Sequence, residues 1–218
     1  MKNKFKEKIG VIGLGYVGLP LSVVFAESGY DVIGFDINKN TCKVINQGKS
    51  HIKDIEDVRI KNIIENNKFI AVDDFSILSD CDVISICVPT PLNKIKDPDL
   101  SFVISATESI AKTLRKGQII ILESTTYPGT TKELVLPILE KRGLKVGIDF
   151  NLCFSPERVD PGNKVWHTKN TPKILGGISK SCMNAGVEIY SKVFEKIITV
   201  QNTEAAELVK VYENTFRM

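Results

Sequence analysis

The stretch KIGVIGLGYVGLPLSVVFAESGYDVIGFD, residues 8–36, constrains the fold more than any other part of the chain. Eighteen uncharged residues separate Lys8 from Glu27, and the lysine-rich start MKNKFKEK precedes them. A secretory signal or membrane span opens in a similar way. This run, however, contains Gly10, Gly13, Gly15, Gly18 and Pro20. Each glycine weakens a water-soluble helix by about 1 kcal/mol relative to alanine. Lipid tolerates glycine better, so pattern decides. KIGVIG reads as a buried strand, PLSVVFAESG as a helix ending at a glycine, and YDVIGFD as a second strand closing on an acid. Strand, glycine turn, helix and strand within about thirty residues make a βαβ unit.

Inside that unit, Gly13-x-Gly15-x-x-Gly18 is a dinucleotide fingerprint. The first glycine makes the tight turn, the second admits a pyrophosphate to the backbone, and the third lets the helix pack close. Unpaired N–H groups at the helix start favour the phosphates. Asp36 closes the second strand, where a carboxylate accepts the ribose 2′-hydroxyl and repels a 2′-phosphate. No arginine follows it directly, so the expected cofactor is NAD and not NADP. The plain alternative is that Asp36 only opens the turn DINKN.

The alternation continues. Helices are expected over 39–47, 54–66, 101–115, 130–141 and 179–194, and strands over 68–72, 82–88, 118–123, 150–154, 173–178 and 196–200. DVISICV is a near-continuous apolar run, as in a strand covered on both faces. The expected class is α/β, a Rossmann-like, doubly wound, mainly parallel sheet, forming one domain over 1–200. The net charge of +3 is scattered, which argues against nucleic acid. His51 and His167 lie far apart without cysteines at ligand spacing, so no metal site is expected. Five cysteines without C-x-x-C fit buried thiols in a reducing cytoplasm.

In such sheets ligands gather beyond the carboxyl ends of the strands. PTPLNKIKDPDLS, STTYPGTT and SPERVDPGN follow three of those ends. Thr90 serves either a ligand or its own turn. Ser124 and Thr125 stand at a strand end, where a free hydroxyl points into the crevice. Thr130 with Glu133 reads as a capping box rather than a ligand. Glu157 and Arg158 form either a site pair or a surface ion pair. In the last helix, capped by Asn202 or Thr203, Lys210, Asn214 and Arg217 share one face, either toward a phosphorylated or polyhydroxylated ligand or toward solvent. That helix carries no stop signal at Met218.

The blocks GLGYVGLP, VPTPLN…DPDLS, ESTTYPGTT, SPERVDPGN and AELVKVYENTFR resemble, in order, the N-terminal motifs of the nucleotide-sugar 6-dehydrogenases. The pairing of ESTTYPGTT with SPERVDPGN is most similar to the UDP-N-acetylglucosamine branch, with the UDP-N-acetylmannosamine branch second. The resemblance implies that Gly13, Gly15, Tyr16, Val17, Gly18, Asp36, Thr90 and Thr125 hold NAD. It places Arg158, Val159, Lys210, Asn214 and Arg217 on the sugar nucleotide, and it makes Lys210 a general acid/base, with Thr125, Glu157 and Asn214 beside the chemistry. The implied reaction is a four-electron oxidation of a C6 alcohol by two NAD, through a cysteine-bound thiohemiacetal and thioester. Residues 201–218 then begin a central helix that joins two halves and builds a homodimer.

Two departures from the family pattern stand out. Thr41 occupies a position where the family often carries a basic residue, with Lys39 or Lys43 as neighbours. The family's GGxC nucleophile motif is absent from these 218 residues, as is the sugar-nucleotide domain. Cys153, near Glu157, is a poor substitute. Other readings are a UDP-glucose enzyme, a non-catalytic NAD-binding module, and a hydroxyacid dehydrogenase, which leaves SPERVDPGN unexplained.

Overall fold

The computed structural model describes residues 5–93, 97–158 and 168–216. The opening stretch folds as the βαβ reading requires: β1 (Lys8–Ile12), α1 (Gly18–Ser28) and β2 (Asp31–Phe35). Gly29 ends α1 in the left-handed region, at φ 106°, where its own N–H returns to the Phe25 and Ala26 carbonyls. Nearly all of α1 is buried, which explains why its apolar residues show no one-sided stripe. No described helix is long and apolar enough to cross a membrane.

Then come α2 (Lys39–Asn46), α3 (Asp57–Glu65), β3 (Phe69–Val72), a 3₁₀ turn (Phe75–Asp80), β4 (Val83–Ile86), α4 (Ser101–Thr113) and β5 (Ile119–Leu122). A π-helical turn (Thr130–Val135) leads into α5 (Leu136–Glu140), followed by β6 (Asn151–Phe154), β7 (Lys173–Gly177), α6 (Lys180–Tyr190), β8 (Ile197–Thr199) and α7 (Thr203–Phe216). The strands form one sheet in the order β3-β2-β1-β4-β5-β6-β7-β8. Every neighbouring pair is parallel except β6 and β7. The chain reverses sheet direction between β1–β2–β3 and β4–β5–β6, and that reversal opens a crevice beyond the strand ends.

Both faces of the sheet are covered. One core joins Leu19, Val23 and Phe25 of α1 to Ile189 and Tyr190 of α6 across Val11, Ile121 and Cys153. The other joins Val103 and Ile110 of α4 to Leu139 of α5 and Ala206 of α7 across Ile84, Ile120 and Leu152. Covering on both faces accounts for the continuous apolar strands.

Two local expectations fail. The helix expected over 130–141 is divided: Pro137 lacks an N–H and its ring crowds the carbonyl four residues back, so the turn before it widens. Thr130 is not a capping residue. Gly129 takes the cap position at φ 100°, and the Thr130 hydroxyl donates to the Tyr127 carbonyl at 2.7 Å.

Candidate active site

The glycine turn has the shape that a phosphate cradle requires. Gly13 sits at φ 88°, and a Cβ there would lie 2.6 Å from the Cys87 carbonyl oxygen. A Cβ on Gly18 would lie 1.8 Å from the Gly13 carbonyl oxygen, so the helix start rests directly on the turn. At Gly15 a Cβ would meet nothing within 4 Å, which leaves that backbone open to an approaching pyrophosphate. Asp36 closes the cradle: one carboxylate oxygen accepts the Leu14 N–H at 2.9 Å and the other the Asn38 N–H at 2.9 Å. Each oxygen keeps a lone pair for a ribose hydroxyl. Tyr16 is exposed and Val17 half-buried beside it. These residues fit a dinucleotide that ends in an unmodified ribose. Asp36→Ala is expected to weaken NAD binding roughly tenfold or more, the loss of charge-assisted hydrogen bonds, and to relax the bias against NADP. A fluorescence titration with both dinucleotides checks this, and unchanged affinities would remove Asp36 from the ribose site.

Across the crevice, the Thr90 hydroxyl donates to the Thr125 carbonyl at 2.8 Å and ties the loops after β4 and β5 together. Thr125 is exposed there. Ser124 is not: it is buried and donates to the Val88 carbonyl at 2.8 Å, so its hydroxyl is structural. Lys39 pairs with Asp73 at 3.3 Å on the surface beside α2.

The loop after β6 meets α7. Lys210 Nζ donates to the Glu157 backbone carbonyl at 2.6 Å. The Arg158 guanidinium grips Glu213 of α7 through Nε at 3.0 Å and through a second, short contact, and donates to the Pro172 carbonyl at 3.0 Å. Behind them lies a buried charge cluster. Lys173 Nζ, at the start of β7, contacts Glu123 at 2.6 Å and Glu157 at 3.1 Å, with Tyr190 hydrogen-bonded to the other oxygen of Glu123. Burial pushes the Glu123 carboxyl above its usual range. Burial alone would lower the Lys173 ammonium, but its two carboxylates hold it above the ordinary lysine range. Cys153 is fully buried and donates to the Cys182 carbonyl at 3.0 Å, and burial raises its thiol far above the ordinary range. It is no nucleophile.

Residues 7–194 match the family described as UDP-glucose/GDP-mannose dehydrogenase family, NAD binding domain. The chain belongs to that family. The UDP-N-acetyl-D-mannosamine dehydrogenase of Pyrococcus horikoshii is 39% identical over 211 residues, covering 96% of this chain and 50% of the relative. The UDP-N-acetyl-D-glucosamine 6-dehydrogenase of Pseudomonas aeruginosa is 38% identical over 216 residues, covering 96% and 49%. A solved structure of the UDP-D-ManNAc dehydrogenase from Pyrococcus horikoshii superposes with a TM-score of 0.90 at 38% identity, over 96% of this chain and 50% of that one. The chain spans about half the length of the curated relatives it matches.

In this NAD-binding domain the fold brings Glu157, Arg158 and Lys210 together, with Thr90 and Thr125 at the neighbouring strand ends. Asn214 is exposed on α7. Val159 and Arg217 lie outside the described residues. The sequence reading missed Glu123, Lys173 and Tyr190. A charged residue closing an otherwise apolar strand, as in QIIILE, was their one available signal. It also missed Glu207 of α7, which is fully buried and accepts the Gly129 N–H at 2.6 Å, the Thr131 N–H at 2.8 Å and the Thr131 hydroxyl at 2.6 Å.

Proposed function

We propose that this chain is the NAD-binding half of a nucleotide-sugar 6-dehydrogenase that oxidises the C6 alcohol of UDP-N-acetylglucosamine to the acid, with UDP-N-acetylmannosamine as the close alternative. The observation that carries the reading is the meeting of α7 with the loop after β6. Lys210 reaches the Glu157 carbonyl at 2.6 Å, beyond the same strand ends that carry the NAD cradle and Thr125.

Bound NAD supplies the hydride acceptor, and two are consumed per acid formed. The chain's own residues do the rest of what lies on this side of the site. Gly13, Gly15 and Gly18 shape the cradle, Asp36 holds the ribose, and Thr90 fixes the loop that presents Thr125. Lys210 moves the proton of the C6 hydroxyl and, as an ammonium, balances negative charge growing on that oxygen. Glu157 and Thr125 orient water for the closing hydrolysis. Arg158, Val159, Asn214 and Arg217 hold the sugar nucleotide. The thiol that carries the carbon between the two oxidations comes from outside these 218 residues. The assembled enzyme is a homodimer.

Calorimetric titration with NAD, followed by an absorbance assay for NADH with UDP-N-acetylglucosamine, tests the reading. The expected result is NAD binding without NADH formation by this chain alone. NADH formation would overturn the assignment of the thiol to another segment, and absence of NAD binding would overturn the whole reading.

A further inference from the structure

The buried cluster behind Glu157 is more elaborate than stability requires. Lys173 is 3% exposed and Glu123 fully buried, while Glu157 is 12% exposed at the rim of the crevice. A buried ion pair is weak evidence for stability, because apolar residues of the same volume often do as well. Here the pair continues to the site. The antiparallel register of β6 and β7 pairs Cys153 with Gly177 and Phe154 with Gly176, and carried onward it sets Glu157 opposite Lys173. The ammonium is itself fixed on every side. Glu123 Oε2 holds it at 2.6 Å, the Tyr190 hydroxyl holds the other oxygen of Glu123, and the Phe194 and Tyr190 ring centroids lie 5.3 and 5.9 Å from Nζ.

We propose that Lys173 is a positioning residue for the reaction, locking the Glu157 carboxylate in place and in its ionised form, with Glu123 and Tyr190 locking Lys173 in turn. The inference rests on the dehydrogenase reading above. Glu157 is gripped at both oxygens: Oε2 by Lys173 at 3.1 Å and Oε1 by the Arg158 backbone N–H at 2.9 Å. Among the described residues, the charged and titratable groups around it include Lys173 from β7, Glu123 from β5, Tyr190 from α6, Lys210 and Glu213 from α7, Arg158 beside it and the Cys87 thiol after β4. Lys173 touches the carboxylate directly, at 3.1 Å, and a cation in contact favours the charged form of a carboxyl.

The test has two parts. In the chain labelled with ¹³C at the glutamate carboxyls, with Glu157→Gln to assign the signal, Lys173→Met is expected to raise the Glu157 titration midpoint by about one to three pH units. An unmoved midpoint overturns the inference. Lys173→Met leaves Glu123 buried without its cation, so Glu123→Leu with Lys173→Met, which removes both charges, supplies a variant free of that unpaired charge, its fold checked by circular dichroism. Its midpoint is also expected to rise, because the nearer charge outweighs the farther. In the complete enzyme the double variant is expected to lose about 100-fold in kcat, the scale of a misplaced catalytic group. KM for NAD should stay within twofold, and the acid limb of the pH profile should move upward. Loss of activity in step with loss of folded protein, with the acid limb in place, makes Lys173 merely structural and overturns the proposal. If the unmutated enzyme forms no NADH from any UDP-hexosamine, the dehydrogenase reading falls and takes the catalytic role of Lys173 with it. The titration then still reports whether Lys173 sets the charge of Glu157.

Discussion

Gly18→Ala is expected to abolish measurable NAD binding and to destabilise the domain by about 3 kcal/mol, the upper end of ordinary overpacking. The new Cβ would lie 1.8 Å from the Gly13 carbonyl oxygen and 3.1 Å from the Cys87 Cβ. Neither the turn nor the strand end can give that much. Backbone must move, and the backbone in question is the glycine turn proposed to cradle the phosphates. Gly15→Ala provides the contrast. Its Cβ meets nothing within 4 Å, so the melting temperature should stay within a degree or two while NAD affinity falls at least tenfold, because the methyl group occupies the path of the pyrophosphate. Thermal melts and NAD titrations of both variants separate the two glycines. If Gly15→Ala binds NAD normally, the pyrophosphate does not lie there.

Glu207→Ala is expected to cost about 3 kcal/mol or more, because three buried donors lose their acceptor at about 1 kcal/mol or more each. Those donors are the Gly129 and Thr131 N–H groups and the Thr131 hydroxyl, at the buried start of the π-helical turn. The same carboxylate fixes the rotation of α7, and Lys210 stands three residues further on. The variant should therefore loosen the contact between Lys210 and Glu157 as well as the fold. The pH dependence follows from its burial, which pushes the Glu207 carboxyl above its usual range against the pull of its three hydrogen bonds. A carboxyl raised in the folded state binds more protons there than in the unfolded chain. Its contribution to stability is present at low pH and is lost as pH rises from the ordinary carboxylate range through the raised value. Glu207→Gln, which cannot ionise, should flatten that decline in urea melts taken across pH. A decline as steep as in the unmutated protein would place its cause elsewhere.

Much of the fold was legible because its signals are local. Four glycines with fixed spacing, one acid at a strand end and apolar runs bounded by turns each report on a few neighbouring residues. The sheet class follows from their alternation, and the structure keeps every expected strand with its ends shifted by one or two residues. The failures share a cause. Thr130 and Glu133 have the spacing of a capping box, yet their N–H groups go to the Tyr127 and Gly129 carbonyls, and Glu207, 76 residues from Thr131, takes the N–H groups of Gly129 and Thr131. Ser124 stands at a strand end, yet its hydroxyl turns inward to Val88.

Sequence by itself determined the βαβ unit, the acid that closes its second strand, the loops that carry Thr90, Thr125 and Glu157 and the helix that carries Lys210, since each depends on spacing along the chain. Only the tertiary structure decided what those side chains touch. Arg158 is held by Glu213, Lys210 rests on the Glu157 carbonyl, and Lys173 joins Glu123 to Glu157 inside the core. These pairings join residues 16 to 55 positions apart, whose meeting depends on the register of β7 against β6 and on the rotation of α7. No local pattern encodes either. Both emerge when the sheet closes and the buried charges find their partners, because a charge left unpaired in the core costs more than the chain can sustain.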